Sequence, residues 1–139
     1  MSGCRFAAIV RRVADDQNQL MLKQADIACG LLLLVGAALH TYGSLTLAPW
    51  GSELQVWALS GSLAAALVAI LNLVRTTRPD DALLAAIALG GSLCWAAIAC
   101  GFGQAIGHPF DMRVLWHALT ALALAGFSLR QILNRQTQT

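Results

Sequence analysis

Charge is scarce in this chain of 139 residues: 12% are Asp, Glu, Lys or Arg, against 58% hydrophobic. A soluble domain carries about 25% charged and roughly 45–50% apolar residues. So little polar surface cannot cover a globule in water. The net charge of +2 is too small, and too scattered along the chain, for a nucleic-acid partner. Cysteine pairing is missing as well. Cys4, Cys29, Cys94 and Cys100 form no C-x-x-C pair. Cys94 and Cys100 lie six residues apart on one expected helix, hence about 240° apart around its axis. Thiol-redox chemistry is thereby disfavoured, and the thiols read as small structural hydrophobes. Proline is rare too, and all three prolines (Pro49, Pro79 and Pro109) fall between apolar stretches.

What the chain has in abundance is long apolar runs. Four of them, at about residues 27–47, 54–74, 82–102 and 114–133, are long enough to cross ~30 Å of hydrocarbon, which takes about 20 helical residues. Backbone amides in lipid must be satisfied within the segment, so these runs are helices. The expected fold is all-α, an integral membrane four-helix bundle, up-down-up-down, because the three connections are short. Ser52, Asp80 or Asp81, and Asp111 stand where helix N-caps are expected.

The chain divides into a polar tail at residues 1–25, a transmembrane domain at 26–134 and a short tail at 135–139. Phe6, Ile9, Val10 and Val13 recur at helical spacing in the first tail, consistent with an amphipathic helix on the membrane surface. Residues 6–10 are too short an apolar run for a signal peptide, and Arg11, Arg12, Asp15 and Asp16 follow them. Eight Lys and Arg residues fall on the side of the tails and the second loop, and only Arg113 on the other. The positive-inside rule then puts both termini in the cytoplasm (N-in/C-in) of a cell inner membrane.

Each span carries a stripe of small or polar residues suited to close helix contact. The stripes are Cys29, Gly36, His40 and Gly43; Gly61, Ala65, Ala69 and Asn72; Ala86, Gly90, Cys94, Ala97 and Gly101; and His117, Thr120 and Ser128. These read as the packing faces of the bundle, or one of them as the binding face for a partner membrane protein or a second copy.

His40 and His117 are the residues that packing does not account for. Both lie one to two turns below the outer ends of their helices, and ionisable groups inside a span are functional candidates. They read as neutral histidines in a polar cluster, as axial ligands binding haem b, or as a proton carrier acting on a lipid-like ligand. A zinc site with Asp111 or Glu53 is the least favoured. Tyr42, Ser44, Trp95, Gln104, Trp116 and Thr120 are the candidates to line a ligand pocket there, with no metal expected. Small multidrug transporters place an acid in their first span, whereas here none lies between Asp26 and Glu53, and four-helix thiol oxidoreductases need cysteine pairs. With no catalytic motif, the chain reads as a non-enzymatic accessory subunit or interaction module in the lipid bilayer. The alternative is a haem- or lipid-like-ligand-binding protein using His40 and His117.

Overall fold

A computed structural model describes the backbone of residues 2–136 and the side chains of residues 13–135. Among the described residues the protein is all-helical, with α1 at Ser2–Leu47, α2 at Glu53–Thr76, α3 at Ala82–Ala105 and α4 at Met112–Gln136. All four helices contain stretches long and apolar enough to cross a membrane, and the chain is a membrane protein.

The loops follow from local chemistry. Gly51 and Gly107 adopt φ of 73° and 71°, the left-handed region in which glycine meets no Cβ clash. Ser52 caps α2, its hydroxyl accepting from the Gln55 amide, and Asp81, rather than Asp80, caps α3 by accepting from the Leu84 amide. Asp111 accepts from the backbone N–H of Arg113 at 2.9 Å and from its guanidinium at 2.8 Å. Those bonds hold the Asp111 carboxyl down at about 2, below its ordinary 3.8. Because the folded value is the depressed one, this contact stabilises α4 above pH 3.8 and is lost as the pH falls through about 2. In an NMR titration the Asp111 carboxyl is expected to turn near 2 and to move back toward its ordinary value in Arg113→Gln.

α1 crosses residue 25 without a break, so the polar stretch and the first span share one helix. Between Gly3 and Gly30 there is neither glycine nor proline, and the polar stretch is rich in good helix formers such as Arg, Lys, Gln, Leu and Ala. The helix has 46 residues, about 69 Å at 1.5 Å per residue. Residues 13–21 are exposed throughout, and Gln19 among them accepts from the Arg130 guanidinium of α4 at 3.0 Å. The Phe6, Ile9 and Val10 face and Cys4 lie outside the described side chains.

The helices pack in a ring, α1 against α2 and α4, and α3 against α4 and α2. Their core is Leu33, Ala37, Ala65, Ala69, Trp95, Ala96, Ala121 and Leu124. Alanine dominates it, since in lipid association rests on close backbone approach rather than on hydrophobic burial. Large apolar side chains point outward instead, among them Leu39, Leu63, Leu83, Ile98 and Leu119. The stripes on α2 and α4 face inward at Ala65, Ala69, Asn72, His117 and Ser128. The stripe on α3 does not: Ala86, Gly90, Cys94, Ala97 and Gly101 are all exposed. The buried face of α3 is Ala85, Ala88, Ser92, Trp95, Ala96, Ala99 and Gly103. Apart from Trp95 both faces of α3 are made of small residues, and Ser92 ties the buried one inward, because its hydroxyl bonds the Asn72 amide at 2.9 Å.

Candidate functional site

Two polar clusters link the four helices, one near each end of the ring. The first gathers around the histidines. His40 on α1 and His117 on α4 stand with ring centroids 6.4 Å apart and planes at 90°. Trp95 on α3 lies edge-on to His117, centroids 5.6 Å apart, and its indole N–H donates to His117 Nδ1 at 3.3 Å. Ser62 on α2 meets His40 Nδ1 at 2.8 Å. Trp116 reaches across to α1, its Nε1 donating to the Leu32 carbonyl at 3.0 Å. Gly36 makes that approach possible, since a Cβ there would fall 2.8 Å from Trp116 Nε1 and 3.0 Å from His117 Cε1.

These bonds bear on the tautomers. An indole N–H only donates, so His117 Nδ1 carries a lone pair and the proton of the neutral ring sits on Nε2. The Ser62 hydroxyl lies within reach of the Ala58 carbonyl at 3.1 Å as well as of His40 Nδ1 at 2.8 Å, and that of Ser44 donates to the His40 carbonyl at 2.7 Å. When the Ser62 proton goes to Ala58, His40 Nδ1 donates to Ser62 Oγ and the lone pair of His40 lies on Nε2. In that arrangement the pair offers one lone pair and one N–H. Bis-histidine ligation of haem b needs two lone pairs, with the other ring N–H of each histidine donated to an acceptor. Among the described residues no group of three or more His, Cys, Asp or Glu gathers as a metal site.

Of the other residues singled out from sequence, Ser44, Trp95 and Trp116 join the cluster. Ser44 Oγ lies 3.5 Å from His40 Nδ1. Thr120 is turned to its own helix, donating to the Trp116 carbonyl at 2.6 Å. Tyr42 is 68% exposed, and Gln104 is exposed beyond the third helix's buried face. Glu53 accepts from the Trp57 indole at 3.2 Å and stays at the surface. Ser62 and Gly36 complete the cluster. Ser62 was legible only as one small residue among many, with no spacing to set it apart.

The second cluster sits at the other end and is more deeply buried. Arg75, whose side chain is 2% exposed, pairs with Asp26 at 2.6 Å. It also donates to Gln131 Oε1 at 2.9 Å and to Asn72 Oδ1 at 3.3 Å. Asn72 in turn bonds Ser92, and Ser128 donates to Asn72 at 3.2 Å. Each of the four helices thus contributes, and among the described residues no buried side-chain N or O lacks a partner. The sequence suggests Arg75 as a loop cation and this end as Leu, Ala and Gly with arginines at the rim. In the folded chain it holds the more buried polar network. An open cleft of about 370 Å³ lies beside it, lined by Lys23, Asp26, Arg75, Arg130, Gln131 and Arg135 among others.

Fold and clusters together define a four-helix membrane protein tied by polar contacts at both ends. No protein-family model, curated protein or solved structure matches the chain.

Proposed function

We propose that this chain is a small, non-enzymatic interaction module of a cell inner membrane, up-down-up-down with both termini cytoplasmic, that associates with a second copy through the outward face of α3. The observation that carries the association is the exposure of Ala86, Gly90, Cys94, Ala97 and Gly101 along one side of that helix. Among the described residues no other part of the fold lies within 4 Å of a Cβ at Gly90 or Gly101, so these positions are open to a neighbour. In lipid such a strip is suited to close approach by another helix. It holds no charged side chain that would select a different partner. Two identical flat strips can meet about a twofold axis as an isologous contact.

The up-down order is supported by the short loops and by the meeting of Asp26 with Arg75, and of His40 with His117, at opposite ends. The cytoplasmic assignment of the tails is supported by the Lys and Arg asymmetry.

Oxidative cross-linking in native membranes tests the association. The expected result is a Cys94–Cys94 dimer on non-reducing gels, retained in Cys100→Ala and lost in Cys94→Ala. Gly90→Leu is expected to reduce the cross-link by holding the two backbones apart. A chain that stays monomeric under oxidation overturns the proposal.

A second reading has its own observation. The two Nε2 nitrogens of His40 and His117 have no protein hydrogen-bond partner among the described residues, and this supports a site for a lipid-like ligand.

A further inference from the structure

Granting that second reading, in which His40 and His117 hold a lipid-like ligand, we propose that the group they recognise is a hydroxyl on a neutral compound dissolved in the bilayer. The two rings present opposite hydrogen-bonding characters. His117 offers an Nε2–H because its Nδ1 accepts from Trp95. With the Ser62 hydroxyl donating to the Ala58 carbonyl, His40 Nδ1 donates to Ser62 and its Nε2 offers a lone pair. His117 is 9% exposed. No fully buried polar side-chain atom lacks a partner among the described residues, so its free Nε2–H is reached from outside the helix core. His40 is exposed, where α1 meets Ser62 of α2 and His117 of α4.

The two imidazoles do not satisfy each other. Rings joined by a direct N–H···N bond stand with centroids roughly 5 Å apart, from an N···N separation of about 3 Å. Here the separation is 6.4 Å. An acceptor and a donor left bare at membrane depth are costly, because hydrocarbon supplies no partner. One hydroxyl oxygen answers both: it accepts from His117 Nε2–H and donates to His40 Nε2. A ketone or ether answers only His117, and a protonated amine, which donates without accepting, answers only His40. A carboxylate would draw a proton onto His117 Nδ1 and break its bond to Trp95. Neutral charge and an apolar body fit the surroundings, since Trp95, Trp116 and the outward leucines flank the pair.

The experiment uses the full chain in lipid nanodiscs with imidazole nitrogens labelled by 15N. The probes are 1-dodecanol, its methyl ether and 2-dodecanone, matched in chain and differing in the polar group. Dodecanol is expected to shift the Nε2 resonances of both histidines and to bind at least about tenfold more tightly than the ether, the loss of one good hydrogen bond. His40→Leu abolishes that preference. His40→Gln, which keeps an acceptor oxygen near the Nε2 position, restores part of it. If the ether or ketone shifts the histidines as strongly as dodecanol, the ligand site stands and the hydroxyl assignment is overturned. If no probe moves either histidine, or His40→Leu changes nothing, both the assignment and the ligand-site reading fall.

Discussion

Replacing Asp26 with alanine is expected to destabilise the folded protein by about 3–5 kcal/mol, the usual consequence of stranding a buried charge. The Arg75 side chain is 2% exposed and that of Asp26 11%. The guanidinium spreads its donors over three neighbours, with Nη2 on Asp26, Nη1 on Gln131 and Nε on Asn72. The two amide partners are neutral, so only Asp26 balances the charge. With alanine there, Arg75 must stay buried and uncompensated or swing into the cleft, where Lys23, Arg130 and Arg135 are of like sign and Asp80 is the one acid left among the described residues. Asp26→Asn keeps an acceptor but no charge, and falls between. Asp26→Leu combined with Arg75→Met removes both charges and fills the space with apolar atoms. Such replacements of a buried pair are often neutral or stabilising, so the double variant is expected to recover most of the loss. Thermal unfolding of the purified protein in mild detergent, with a double-mutant cycle over the four forms, measures it. An Asp26→Ala protein that melts with the wild type would mean that the pair contributes nothing to the fold.

The reason the pair escaped the sequence reading is instructive. Arg75 lies one residue from the end of α2 and three before the loop arginine Arg78. By position it reads as a membrane-rim cation, as Arg78 does. Nothing local says that Asp26, 49 residues earlier, comes to meet it. Long-range pairing of this kind is visible only once α1 and α2 are laid side by side. The helices themselves were legible because their signal is local. Spans expected at 54–74, 82–102 and 114–133 lie within α2 at Glu53–Thr76, α3 at Ala82–Ala105 and α4 at Met112–Gln136. Ser52, Asp81 and Asp111 cap where their side chains allow. Depth was legible for the same reason, since His40 and His117 could be counted from their helix ends and now stand 6.4 Å apart. Rotation about the axis was not. On α3, residues one step apart in sequence build two small-residue faces that are nearly equivalent by composition. Trp95 on the buried face and the partner hydroxyls and amides across the interface distinguish them.

Gly36→Leu is the second change expected to have a large effect, and the magnitudes separate it from Gly36→Ala. Gly36 is helical, so the backbone tolerates any L residue, and alanine gains about 1 kcal/mol of helix propensity over glycine. Against that gain stands space. A Cβ would sit 2.8 Å from Trp116 Nε1, 2.9 Å from its Cδ1 and 3.0 Å from His117 Cε1. The indole must retreat, and its bond to the Leu32 carbonyl at 3.0 Å weakens, a loss of about 0.5–1.5 kcal/mol. For alanine the two terms nearly cancel, so its stability is expected to stay close to the wild type while the near-ultraviolet signal of Trp116 changes. Leucine adds three more carbons to the same contact, and overpacking costs about 1–3 kcal/mol beyond the lost bond. It also forces α1 and α4 apart where the two histidines approach, so the 15N signature of the His117–Trp95 bond is expected to shift with it. Trp116→Ala in the Gly36→Leu background returns volume to the same spot and should recover part of the stability. A Gly36→Leu protein as stable as the wild type, with the histidine signals unmoved, would mean that α1 and α4 are not in contact at this level.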